Sequence, residues 1–156
     1  MEKYHVQKFC SVGHNVFVGD RTCCDNFHPD GFEKFIHIWR DDHPDNSCNA
    51  IQNNHYSGME LQYHDGESFT KANKSIEHIA EFCRGNDRLL VHCAAGQTRS
   101  PAVALIAKVA RGCDVYGAIA DITRACYDER DIVPNWCLHP MRETIWWAHG
   151  KEWRRE

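Results

Sequence analysis

Apolar and polar positions alternate in short runs over the first half of the chain and change to helical spacing in the second. His5–Cys10 alternates weakly, Ser11-Val12-Gly13-His14 is a turn signal, and Asn15–Val18 is a second run that closes at Gly19-Asp20. Phe35–Trp39 predicts a further strand. The stretch from Arg40 to Asn54, rich in Asp, Asn and Pro, reads as a loop. Met59–Tyr63 predicts a strand that runs into the turn signal His64-Asp65-Gly66.

From Thr70 to Cys83 the positions Ala72, Ile76, Ile79, Ala80 and Cys83 recur at helical spacing, with Gly85 where a C-terminal cap belongs. Arg88–His92 is a short apolar run suited to a buried central strand. Ser100-Pro101 opens the next helix, with Ser100 as N-cap and Val103, Ile106, Ala107 and Ala110 as its stripe, and Gly112 closes it. Asp114 can cap another helix, with Val115, Ala118, Ile119, Ile122 and Ala125 on one face. Asn135 can cap the last, through Leu138, Met141 and Ile145, with Pro140 setting off its start as a separate turn. Strands alternating with helices, then a helical end, predict an α/β architecture around a central sheet.

Length and charge narrow the class. The chain has 156 residues, enough for one domain and too few for two of ordinary size, and no repeat or linker divides it. Its 18 basic and 22 acidic side chains leave a net charge of −4, unsuited to a general nucleic-acid or membrane-surface binder. No apolar run is long enough for a transmembrane helix, and the first residues carry no secretory pattern. Nine cysteines is a high and odd count, read as reduced thiols in a cytoplasmic protein.

The stretch that carries chemistry is His92-Cys93-Ala94-Ala95-Gly96-Gln97-Thr98-Arg99-Ser100-Pro101. A strand ends at a cysteine, a short loop follows, and an arginine stands where a helix begins. The N–H groups of such a loop converge with those of the helix N-terminus into an anion cradle. Ala94, Ala95 and Gly96 leave room for a phosphate to approach the backbone, and Gln97 and Thr98 complete the loop. Arg99 adds a planar fork for two phosphate oxygens. The same field lowers a thiol from about 8.5 into the range of about 3.5–7.5, so Cys93 is expected as a thiolate beneath the phosphorus. That arrangement suits covalent phosphoryl transfer.

His92-Cys93-x5-Arg99-Ser100 resembles the signature of the cysteine-dependent protein tyrosine phosphatases, and the whole chain resembles their dual-specificity branch. The resemblance runs from Asn15–Asp20, like the family's first sheet strands, to Val133–Leu138, like the Pro-Asn lead-in to its last helix. It implies a central, mixed, mostly parallel sheet flanked by helices in a single domain over residues 1–156. It also implies that Cys93 attacks phosphorus and forms a phosphocysteine. Arg99 holds the phosphate, Ser100 helps the thiolate leave, and His92 tunes the thiol. A general acid must protonate the leaving oxygen. The family places an Asp on a loop some thirty residues before the cysteine, and Asp65, 28 residues before Cys93, takes that role, with Glu67 as competitor and Asp41 and Asp42 as solvated loop charges.

The substrate implied is a protein carrying phosphotyrosine or phosphoserine and phosphothreonine, turned over by a monomer without metal or cofactor. A loop without lysine speaks against inositol phospholipids. The same chemistry on an RNA 5′-triphosphate, a glycan or a small phosphate is the alternative, followed by a non-catalytic phospho-binding module. A rhodanese-like sulfur carrier and the low-molecular-weight phosphatases fit the helix start and the position of Cys93 less well. Cys23 and Cys24, with His14, His28, His37 and Cys48, show no paired-ligand spacing for zinc. Cys83 falls on an apolar helix stripe and is expected in the core. Trp146, Trp147 and Trp153 with Arg142, Arg154 and Arg155 read as the packing face and charged tail of a terminal helix.

Overall fold

Residues that alternate along a strand choose which side of a sheet becomes core. In a computed structural model, which describes residues 9–19, 31–39, 57–62, 68–92, 99–131 and 133–155, the strands are β1 (Phe9–Ser11), β2 (Val16–Gly19), β3 (Lys34–Trp39), β4 (Ser57–Gln62) and β5 (Leu89–His92). They form one sheet in the order β1-β2-β5-β3-β4, antiparallel at β1–β2 and parallel elsewhere. This is the mixed, mostly parallel α/β sheet expected from the sequence. The helices are α1 (Ile76–Cys83), α2 (Arg99–Ala110), α3 (Val115–Arg130) and α4 (His139–Arg155). None is long and apolar enough to cross a membrane.

The two faces of the sheet differ. Val16, Val18, Ile36, Ile38, Met59, Leu61, Leu89 and Val91 share one core with Ile79, Leu105, Ile106, Ile122 and Met141 from the four helices. The opposite face is aromatic. Phe9, Phe17, Phe32 and Phe35 meet edge to face at centroid distances of 5.0–6.2 Å, with Leu90 between Phe17 and Phe35 in register. His37 and His92 lie buried on this second face.

Local signals explain most boundaries. The Asp114 side chain accepts the Gly117 N–H at 3.0 Å and starts α3, whose buried face is Val115, Ala118, Ile122 and Cys126. Asp131 ends it in the left-handed region. Three expectations need correction. The helix expected over 70–83 begins at Ile76, because Ser75 accepts the His78 N–H and caps it, and Phe69–Lys71 is a separate 3₁₀ turn. Ser100 is the second residue of α2 and not its N-cap. Residues 101–109 are buried on every side where a single stripe is expected, since α2 packs against the sheet, α1, α3 and α4 together. At the last helix Asn135 Oδ1 accepts from the Cys137 N–H in a preceding turn, and Pro140 sits in the first turn of α4. His5, the stretch 40–54 and Tyr63 lie outside the described residues.

Candidate active site

β5 is the central strand, with β2 and β3 parallel on either side, so Gly19, His92 and His37 stand abreast at one edge of the sheet. In open α/β sheets ligands bind beyond the carboxyl ends of the strands, where the strand order reverses. The chain leaves β5 at His92 and enters α2 at Arg99. Cys93, Ala94, Ala95, Gly96, Gln97 and Thr98 make up that interval and lie outside the described residues, as does Asp65. The flanks of the interval are fixed in three dimensions.

Ser100 is fully buried, and its Oγ donates a long hydrogen bond of 3.5 Å to the Gly19 carbonyl. This contact ties the first turn of α2 to the end of β2, so the helix N-terminus faces the edge where β5 stops. Orphan N–H groups and the positive end of the dipole gather there.

His92 is fully buried, and its Nδ1 lies 3.4 Å from Nδ1 of His37, with ring centroids 4.9 Å apart. From the sequence alone His37 is one of several histidines scattered near cysteines. The one signal that it belongs to this edge is a polar residue within the apolar run Phe35-Ile36-His37-Ile38. Cys23, Cys24, His28 and Cys48, weighed with it as ligands, lie outside the described residues.

A second polar cluster sits at the opposite end of α2, about 15 Å from Ser100 by helix rise. His14, Cys113 and Asp121 bring ligand atoms within 4.8 Å of one another, a set that could hold a metal ion. The ammonium of Lys108 already serves it, 3.2 Å from His14 Nδ1 and 3.0 Å from Asp121 Oδ2, and it also donates to the Val12 carbonyl. The arrangement is the solvation shell of a buried cation. Nearby, burial pushes the Cys83 thiol up to about 12, against the pull of Arg111 and Lys34, so this cysteine stays protonated and inert. Burial lowers Arg111, with Cys83 and Asp87 opposing, and its Nε donates to the Cys83 carbonyl at 2.7 Å.

Solved structures share this fold. A human tyrosine phosphatase-like serine/threonine/tyrosine-interacting protein superposes with a TM-score of 0.66 at 17% identity, covering 93% of this chain and 97% of its own. The chain has the dual-specificity phosphatase fold. A mouse putative dual specificity phosphatase complexed with zinc tungstate shares this fold with a TM-score of 0.64 at 15% identity, over 99% of this chain and 95% of that one. PTPMT1 in complex with PI(5)P gives 0.65 at 13% identity, over 95% and 99%. No protein-family model and no curated protein matches the sequence. In this fold the central strand β5 ends at His92 and α2 begins at Arg99.

Proposed function

We propose that the chain is a phosphomonoester hydrolase of the dual-specificity type, acting on phosphotyrosine and on phosphoserine or phosphothreonine in proteins. The observation that supports it is the placement of the Cys-x5-Arg interval. It joins the central strand to a helix N-terminus in a chain with the dual-specificity phosphatase fold.

In the proposed reaction the Cys93 thiolate forms an S–P bond as the P–O bond to the leaving group breaks. Asp65 gives its proton to the departing oxygen. Arg99 and the N–H groups of residues 94–98 hold the three equatorial oxygens, where charge accumulates. Water then attacks phosphorus, Asp65 takes its proton, and the S–P bond breaks to return the thiolate. The Ser100 hydroxyl stabilises that departing sulfur, and His92 tunes the thiol. These groups supply every proton and charge the two steps need, so the reaction proceeds with a metal chelator present. The domain spans residues 1–156 and works as a monomer in the cytoplasm.

Cys93→Ser tests the reading. The variant loses hydrolysis of para-nitrophenyl phosphate yet keeps phosphate affinity, because the cradle is mostly backbone; retained turnover overturns the nucleophile. A panel of phosphopeptides set against triphosphorylated RNA, with PI(5)P as a further arm, assigns the substrate class. Faster turnover of either non-protein substrate replaces the protein reading.

A further inference from the structure

Large apolar side chains lie singly over most protein surfaces, and a cluster of them marks a place that another molecule covers. Among the described residues the exposed large hydrophobics are Tyr116, Tyr127, Val133 and Trp146, and all belong to α3, α4 or the link between them. Trp146 is 76% exposed and Tyr116 70%. Trp147, by contrast, donates from its indole Nε1 to Glu77 Oε2 at 2.7 Å. The expectation that both tryptophans pack therefore fails for Trp146.

α3 and α4 lie side by side with opposite chain directions. The Tyr116 ring meets the His149 ring edge to face at 5.4 Å, and Trp136, just before α4, donates to Thr123 Oγ1 at 2.8 Å. Tyr116, Ala120 and Tyr127 fall on one stripe of α3, about 16 Å long by helix rise. Arg142, Trp146 and His149 fall on one stripe of α4, away from the buried Met141, Thr144 and Ala148. The Tyr116–His149 contact joins the two stripes into one face. Ala120, small and exposed, leaves a gap between the two tyrosines where a side chain can seat.

Charge selects the occupant. Neither stripe holds a carboxylate, while Arg142 stands on one and Arg124 beside Ala120, both exposed. Asp121 is turned to Lys108, Glu143 accepts from Ser68 Oγ and the Phe69 N–H, and Asp128 lies one step farther round α3 than Arg124. α4 continues through Lys151, Arg154 and Arg155 with Glu152 as the acid among them. The chain as a whole carries −4, so this is a basic, aromatic face on an acidic protein. A second copy docked about a two-fold axis would set the same arginines against each other. An anionic membrane would meet the net charge of the whole molecule. A single acidic segment meets chiefly the local face, because charges beyond about 8–10 Å are screened.

We infer that the α3–α4 face docks an acidic peptide segment of a partner protein, whose apolar side chains cover Tyr116 and Trp146 and whose carboxylates pair with Arg124 and Arg142. Trp, Tyr and Arg are the residue types that carry most of the binding energy at protein interfaces. The face needs nothing from Cys93, so it stands or falls apart from the proposed hydrolysis.

The experiment selects a displayed library of random short peptides on the immobilised full chain, and measures the enriched sequences by fluorescence anisotropy. The enriched peptides are expected to carry Asp or Glu around two or more apolar residues. Their affinity falls by about tenfold or more in Trp146→Ser and in Tyr116→Ser. Arg142→Glu weakens them too, more at low salt than at high. Arg84→Glu, an exposed charge change at the end of α1, leaves them unaltered. Trp146 and Arg142 are surface side chains, so these variants keep the wild-type melting temperature. An empty selection overturns the inference, as do basic or neutral peptides, or affinities that the substitutions on the face leave unchanged. A dimer in sedimentation equilibrium that Trp146→Ser dissolves gives the face to a second copy. Binding to phosphatidylserine vesicles that Trp146→Ser abolishes gives it to a membrane. Either result replaces the peptide.

Discussion

The Nζ of Lys108 lies 3.0 Å from Oδ2 of Asp121, and the lysine is wholly enclosed while the carboxylate is half open to solvent. The lysine emerges from α2 among apolar neighbours and crosses to α3 and to the turn between β1 and β2, where the Val12 carbonyl accepts from it. Gly13 makes the crossing possible. A Cβ there would stand 2.7 Å from Nζ, and its φ of +92° is one that side chains rarely adopt.

The asymmetry of the pair sets the order of two costs. Asp121→Asn leaves a buried ammonium without its counter-charge and lowers stability by about 3 kcal/mol. Lys108→Met leaves a carboxylate that water can reach and one carbonyl without its donor, at about 1–2 kcal/mol. Urea unfolding of both variants checks the order. A larger loss for Lys108→Met would mean that the carboxylate does not hold the ammonium.

Cys83 gives an alkaline signature. The unfolded thiol ionises near 9.0 and the folded one at about 12, so the folded chain holds the proton more tightly. Its contribution to stability is intact below pH 9 and is lost as pH rises toward 12. Between about pH 9 and pH 10.5 the unfolding free energy of the wild type falls more steeply than that of Cys83→Ala, which carries its cavity cost at every pH. Parallel pH profiles would show that the thiol is not enclosed in solution.

Much of this architecture is written locally. The run Leu89-Leu90-Val91 marks the central strand and Asp114 marks the start of α3, while the spacing of Cys93, Arg99 and Ser100 carries the proposed chemistry. What escapes the sequence is what tertiary pairing decides. His37 and His92 are 55 residues apart and meet only because β3 lies beside β5. Lys108 interrupts an apolar helix with no local hint that a carbonyl and a carboxylate await it. The early helix start expected at Thr70 fails because Ala72 and Ile76 fit a helical period even though Ser75 caps a later one.

The proposed acid has a kinetic test that does not depend on its position in space. Asp65→Asn removes the proton that a poor leaving group needs and a good one does not. Hydrolysis of phenyl phosphate is expected to slow by about 10²–10³-fold, and that of an activated aryl phosphate far less. The slope of log kcat/KM against leaving-group pKa steepens accordingly. Equal slowing across the series would move the role to another carboxyl group, with Glu67 next to be tested.

Ser100 has two possible duties, and kinetics separates them. In the structure its hydroxyl is donated to the Gly19 carbonyl over a long 3.5 Å contact, weak enough to be exchanged for a departing thiolate. If the hydroxyl serves the second step, Ser100→Ala hydrolyses para-nitrophenyl phosphate with an initial burst of about one equivalent, followed by a steady rate lower by about tenfold or more. Phosphate stays on Cys93 in the quenched enzyme, visible as an added mass on its peptide. Ser100→Thr, which keeps the hydroxyl, shows no burst. If instead the hydroxyl only fastens α2 to β2, Ser100→Ala lowers stability by about 1 kcal/mol and leaves the burst absent, because both chemical steps then slow together or not at all.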